Sequence, residues 1–265
     1  MERLYALLLL EAAPSRAMAV ALLVAIRLAP LTLLAPMIAV RNAPAIVRTT
    51  ILLALVLGLL PTALAVSPEI PMDTTSLVLL GLRELVFGSC LALVVSVPFH
   101  SVDHAGRVID TLRGGGQAEV TLASGERTSL LAGALGIFAV ALFAAAGGHR
   151  VLTLALAEGL RVSPPGLASG ATDWSDALGE TARLLTVVLP LGLAIAAPAI
   201  VALVAADVGL AVVARTAPQL PVYFAGMPLR AWLGIAAVLL ALAATAPGLL
   251  EAFETFLNAA SGLFA

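Results

Sequence analysis

Hydrophobic residues gather in six long runs, roughly Ala17 to Val40, Ile51 to Val66, Leu77 to Pro98, Leu130 to Ala146, Leu184 to Ala206 and Ala231 to Ala246. A helix crossing hydrocarbon needs about 20 apolar residues, so each run predicts a membrane helix of nearly that length. None is a plain lipid-facing span. Arg27 lies in the first and Arg83 with Glu84 in the third, while Pro30, Pro36, Pro61, Pro190 and Pro198 interrupt others. A proline frees a backbone carbonyl that hydrocarbon cannot satisfy, so such helices are tolerated where protein or a water-filled path surrounds them. The pattern predicts an all-α integral membrane fold of bent helices and helical hairpins packed against other subunits.

Polar positions add three features. Between His100 and Arg113, Val102, Ala105, Val108, Ile109 and Leu112 recur at helical spacing while Asp103, Arg107 and Asp110 alternate in sign, which predicts an amphipathic helix. Gly114, Gly115 and Gly116 should end it, and the stretch from Gln117 to Gly125 reads as an irregular loop, either a connector or the filling of a protein-lined cavity. His100, Asp103 and His104 approximate an H-x-x-E-H zinc arrangement, but Asp is shorter than the Glu of those enzymes, and a solvated polar face accounts for them. Asp207 follows a long apolar helix and precedes Ala217-Pro218-Gln219-Leu220-Pro221. An acid so placed is either part of an ion path or paired with an Arg, of this chain or of another subunit, to order the assembly; the pairing is preferred. A last helix, Leu249 to Phe264, carries Leu249, Leu250, Phe253, Phe256, Leu257, Ala260 and Phe264 on one face and Glu251, Glu254, Asn258 and Ser261 on the other, suiting it to dock on a neighbouring helix.

Composition narrows the function. With 61% hydrophobic and 11% charged residues and a mean hydropathy of +1.09, the chain is far from the roughly half-apolar, quarter-charged average of soluble domains. A net charge of −2 and the lack of any basic run argue against a nucleic-acid partner. All 14 basic residues are Arg, which removes chemistry that needs a phosphate-loop or Schiff-base lysine. The single cysteine, Cys90, reads as a small core residue. Leu4 to Leu10 makes a poor signal peptide and is expected to be retained. Arg41, Arg48, Arg107, Arg113, Arg127, Arg215 and Arg230 fall on one side of the predicted spans, opposite Glu69, Asp73, Arg150, Arg161, Arg183, Glu251 and Glu254, a modest bias that puts the N-terminus outside. Ser163 to Asp176, rich in Pro, Gly, Ser and Asp, is the best boundary between two halves.

Several stretches then fall into a familiar order: Arg27-Leu28-Ala29-Pro30 with Pro36, the Arg83-Glu84 helix running to Gly88, Ala105-Gly106-Arg107-Val108-Ile109-Asp110 before the glycines, Gly147-Gly148-His149, Pro164-Pro165-Gly166, Asp207-Val208-Gly209-Leu210, Arg215-Thr216-Ala217-Pro218-Gln219-Leu220, and Gly226-Met227-Pro228-Leu229-Arg230. Together they resemble the SctT/FliR family of the type III protein export apparatus over nearly the whole length. The last pair is specific in sequence and spacing, although the family's usual Asn after Gln-Leu is Pro221 here. The all-Arg, Ala-rich chain looks more like an injectisome member than a flagellar one.

The resemblance implies a core subunit of the bacterial inner-membrane export gate, joined to R-type and S-type subunits (SctR/FliP-like and SctS/FliQ-like) and to a SctU/FlhB-like switch subunit, with unfolded secreted proteins passing through. It implies that residues 1–170 resemble an R subunit, with an interior plug loop at about 106–125, and residues 171–265 an S subunit. Arg113, Gly114, Gly115, Gly116 and Gln117 become candidates for closing the pore, and Arg27, Arg83, Glu84, Asp207, Arg215, Pro218 and Gln219 for polar contacts in assembly. No catalytic, cofactor or metal residue is assigned: the sequence has no G-x-S-x-G, H-E-x-x-H or nucleotide loop. Two other readings are kept: a small secondary transporter working through Asp207, and a membrane metallohydrolase built on His100 and His104.

Overall fold

Ala and Leu are the strongest helix formers, and in an apolar surrounding a helix satisfies its own backbone, so these runs fold as helices. The computed structural model describes residues 14–35, 44–114, 119–121, 127–166, 174–217, 219 and 222–262. Along the chain these residues form α1 (Pro14–Leu34), α2 (Ala45–Val66), α3 (Thr74–Leu112), the short strands β1 (Glu119–Thr121) and β2 (Arg127–Ser129), then α4 (Leu130–Ala145), α5 (Gly148–Val162), α6 (Trp174–Leu185), α7 (Val188–Thr216) and α8 (Val222–Gly262). The fold is all-α. Among the described residues, four helical segments, or five if α4 and α5 count as one span, are long and apolar enough to cross a membrane.

Three features differ from the sequence reading. The run from Leu77 to Pro98 and the amphipathic stretch after it form one helix, α3, of 39 residues with Pro98 inside it. At 1.5 Å per residue, 39 residues extend about 58 Å, nearly twice the hydrocarbon thickness of a bilayer. The residues flanking the proline, Val94, Val95, Val97 and Phe99, are all buried, so the break sits where protein surrounds it. The last apolar run and the terminal amphipathic stretch likewise join as α8, 41 residues with Pro228 and Pro247 inside. The stretch expected as an irregular loop contributes a strand: β1 pairs antiparallel with β2, Glu119 opposite Ser129, Val120 opposite Thr128 and Thr121 opposite Arg127. Gly115, Gly116 and Gln117 lie outside the described residues, as do Pro36 and Leu4 to Leu10.

The chain forms two compact units, which cut across the linear order. The first takes the described residues of Met1–Ser96, Gly147–Leu185 and Glu254–Ala265. In it α1 buries Val20, Leu23, Val24, Arg27, Leu28 and Leu31, spaced at three and four, so that a single stripe faces inward. The second takes Val97–Ala146 and Thr186–Phe253. Its α7 buries Gly192, Ala196, Ala199 and Leu203 and leaves most other positions exposed. Such a small-residue stripe lets helix backbones approach closely where no hydrophobic force separates protein from lipid.

Candidate functional site

In the first unit three of the sequence motifs converge on Arg27. Its Nε donates to Glu84 Oε2, and its Nη1 donates to the carbonyl of Ser163 at 2.8 Å. Arg27 is 2% exposed and Glu84 not at all. One turn after Glu84, Gly88 lies over the backbone of Arg27: a Cβ there would stand 1.9 Å from the Arg27 carbonyl oxygen. The Arg-Leu-Ala-Pro helix and the Arg-Glu helix therefore cross backbone to backbone, and the ion pair sits at the crossing. The Pro-Pro-Gly segment closes the third side. Gly166 adopts φ +85° and packs against Ile70 and Leu23, at 2.8 Å to the nearest Ile70 carbon from the position a Cβ would take. Removing one partner of such a pair leaves a buried charge, at a cost of roughly 3–5 kcal/mol. Arg83, adjacent in sequence, takes no part in the pair. Its guanidinium carbon lies 5.1 Å from the centroid of the Phe87 ring.

The second unit contains the root of the loop between α3 and α4. Asp110, 1% exposed, accepts two hydrogen bonds: from Arg113 Nε at 2.5 Å on Oδ1, and from the backbone N–H of Leu131 at 2.8 Å on Oδ2. The second bond satisfies a free amide in the first turn of α4, where a negative charge is favoured. Gly106, one turn earlier on the same face, is pressed to α4 so closely that a Cβ would stand 2.4 Å from the Cα of Ala132. Gly114 ends α3 in the left-handed conformation, φ +79°, which an L-residue adopts only with strain. Asp110 thus holds the chain on both sides of the β1–β2 ladder, at Arg113 before it and at Leu131 after it.

The rest of this helix end is gripped by glycines and rings. Gly192 of α7 faces the Ser101 carbonyl and the His104 ring, its Cβ position 2.8 Å and 2.9 Å from them, and Gly234 of α8 faces the aliphatic part of Arg113. Phe99, Phe143 and Phe253 pack as a triad with centroids 4.9–5.6 Å apart. The expected docking of the terminal amphipathic stretch is met in part by Phe253 within the chain itself. His104 is half-buried against α7, and only the Asp103–Arg107 pair, 2.7 Å, has a solvated character. No cluster of three His, Cys, Asp or Glu able to hold a metal occurs among the described residues.

Asp207 finds its partner within the chain. Its Oδ1 stands 2.6 Å from Arg230 Nε, in a geometry that makes no hydrogen bond, so the contact is electrostatic. Leu210 meets Gly226, at 2.9 Å from a built Cβ. The pairings 207 with 230 and 210 with 226 define an antiparallel helical hairpin of α7 and α8. The Asp207-Val208-Gly209-Leu210 and Gly226-Met227-Pro228-Leu229-Arg230 motifs lie on the two sides of this hairpin. Arg215 and Gln219 are exposed, and Pro218 lies outside the described residues.

Residues 18–256 match the family described as bacterial export proteins, family 1. The chain belongs to this family. It is similar to the secretion system apparatus protein SsaT of Salmonella typhimurium, 31% identical over 160 residues, 59% of this chain and 60% of that protein's length. It is also similar to the flagellar biosynthetic protein FliR of Pectobacterium carotovorum, 30% over 187 residues, 68% of this chain and 69% of the relative. A third relative is the Yop proteins translocation protein T of Yersinia pestis, 29% over 199 residues, 74% of each. These are the secretion and flagellar branches of the SctT/FliR family that the motifs resemble.

Within this family assignment, the structure joins residues that the sequence reading held apart. Arg27 and Glu84 were named separately; they are one pair. Ser163, seen only as a boundary residue, supplies a carbonyl to that pair. Gly88 and Gly106 stood inside motifs, yet nothing in a single sequence says that a glycine in a helix marks a backbone crossing rather than a weak position. Gly192 carried no signal at all.

Proposed function

We propose that this chain is a core subunit of the inner-membrane export gate of a type III protein secretion system, lining and sealing the channel through which unfolded proteins pass. It resides in the bacterial inner membrane, where its apolar helices are at home, and its neighbours are R-type and S-type gate subunits and the switch subunit. The first part of the chain, to about residue 170, acts as the R-like portion and the rest as the S-like portion. Its relatives, a secretion apparatus protein, a flagellar biosynthetic protein and a translocation protein, support an export role.

The observation that carries the sealing role is the anchored loop root. A segment meant only to connect α3 and α4 needs no buried carboxylate holding both its ends, whereas a plug must be fixed at its base while its tip moves. Asp110 supplies that fixture through Arg113 and Leu131, and Gly114 supplies the bend. Arg113, held in this pair, belongs to the base of the plug, and residues 114–117 to the part that closes the pore. Deleting Gly114 to Gln117 in an assembled, secretion-competent complex should raise the membrane's ion conductance; unchanged conductance would overturn the plug. The transporter reading draws no support from Asp207, whose charge is met by Arg230.

A further inference from the structure

Along α8, Gly226, Gly234 and Val238 are buried and Arg230 is half-buried, while Met227, Leu229, Trp232, Ile235 and Leu239 are exposed. The inward positions stand four apart, so they form one line down the helix. The first three each meet a defined partner. Gly226 receives Leu210 and Arg230 meets Asp207, both on α7. One turn further on, about 6 Å along the axis, Gly234 receives Arg113. A Cβ at Gly234 would stand 3.2 Å from Cδ, 3.4 Å from Cβ and 3.8 Å from Cγ of that arginine. The line that closes the hairpin therefore continues onto the end of α3.

Arg113 carries this contact to the root of the loop. Its side chain is 8% exposed and its Nε is bonded to Asp110, which in turn accepts from the Leu131 amide. So long a side chain loses much rotamer freedom when fixed, and what confines its stem is the α8 backbone, at a residue with no side chain of its own. The bond to Asp110 depends on the alignment of N–H and oxygen, so a stem pushed aside loses it. The other arm of the hairpin bears on the same helix, with Gly192 of α7 against the Ser101 carbonyl and the His104 ring. The Asp207–Arg230 pair is partly exposed, 46% and 31%. Such a pair adds little stability, and its use is to fix which turn of α8 lies beside Arg113.

We propose that the α7–α8 hairpin is a latch on the loop root. The Asp207–Arg230 pair sets the register of α8, Gly234 seats the Arg113 stem, and Arg113 so held keeps its bond to Asp110. Gly234 and Asp207 are positioning residues that act through Arg113. A shift of α8 away from α3 frees the arginine and loosens the root with no change in the loop itself. The contact within the chain stands on geometry; its consequence at the pore rests on the sealing role proposed above.

The test is a double-mutant cycle on the full chain. Gly234→Val, which crowds the arginine, and Asp207→Asn, which releases the register, are each made in the wild-type and the Arg113→Ala background. Amide exchange in mild detergent is followed at residues 113, 114 and 131 and in the middle of α4. In the wild-type background Gly234→Val should speed exchange at the three root amides about tenfold, the effect of losing one charge-assisted hydrogen bond, and Asp207→Asn about threefold, with the middle of α4 unchanged. Neither should matter once Arg113 is Ala. Should Gly234→Val fail to fold, Gly234→Ala serves, its methyl being a few tenths of an ångström too close to Arg113. Acceleration that is equal in both backgrounds, spread through α4, or missing overturns the latch. In the assembled complex, Gly234→Val should raise ion conductance as deletion of Gly114 to Gln117 does. Conductance raised by the deletion alone overturns the latch. Conductance raised by neither, with the expected exchange pattern, supports the latch and overturns the sealing role.

Discussion

Gly88→Ala is the sharpest probe of the α1–α3 crossing. The added carbon would start 1.9 Å from the Arg27 carbonyl oxygen and 2.7 Å from its carbonyl carbon, both backbone atoms. A comfortable carbon–oxygen contact is about 3.3 Å, so relief from 1.9 Å requires the two helices to part by about 1.4 Å. Overpacking of a core costs about 1–3 kcal/mol when side chains can adjust. Here no rotamer change relieves the clash, and separation also stretches the Arg27–Glu84 pair, whose full loss would cost about 3–5 kcal/mol. A destabilisation of about 3 kcal/mol follows, more than a hundredfold in the folded-to-unfolded ratio. The comparison is Gly136→Ala in α4, where a Cβ meets nothing within 4 Å and helix propensity alone should add up to about 1 kcal/mol of stability. Thermal unfolding of both variants in the same detergent, followed by circular dichroism, reads the difference. If Gly88→Ala melts with Gly136→Ala, the backbone crossing is not as close as described.

Asp110→Ala leaves the Leu131 amide and Arg113 without their acceptor; because Arg113 at the helix end can swing outward, the expected cost is about 2 kcal/mol, and amide exchange at Leu131 should rise well ahead of that in the middle of α4. Asp73 precedes α3 and accepts from the Ser76 backbone N–H at 2.9 Å, a bond that holds its carboxyl below the ordinary value of 3.8. Because the folded-state value is the lower one, the bond's stabilisation is fully present above the unfolded value and fades as pH falls through the folded value. Exchange at Ser76, corrected for intrinsic rate, should therefore accelerate on acidification below about pH 4, and Asp73→Ala should be fast at every pH; a pH-independent wild-type profile would rule out the cap.

Much of the site was legible as residue types and little of it as geometry. That Arg27, Glu84 and Asp207 sit in apolar runs is visible in the sequence, and an ionisable group there must find a partner. Which partner was not visible, because pairs 57 and 23 residues apart leave no periodic trace. Pro30, Pro61 and Pro198 interrupt apolar runs in the sequence, yet α1, α2 and α7 continue through them, since neighbouring protein can take over what a missing N–H leaves unsatisfied. The loop after Gly114 was read as irregular from its glycines alone; the pairing of residues 119–121 with 127–129 depends on α3 and α4 holding the two ends close.

By itself, then, the sequence determined an all-α membrane protein, its family, and the buried face of its terminal amphipathic stretch, because hydropathy and helical period are local properties fixed by consecutive residues. Only the tertiary structure decided that Gly88 and Gly106 mark backbone contacts, that Arg27 serves Glu84 and Ser163 together, and that Asp110 anchors the loop at both ends. Those are outcomes of which helices meet and at which turn. Packing between distant segments sets them, and a charge balance can be drawn up only once the partners stand side by side.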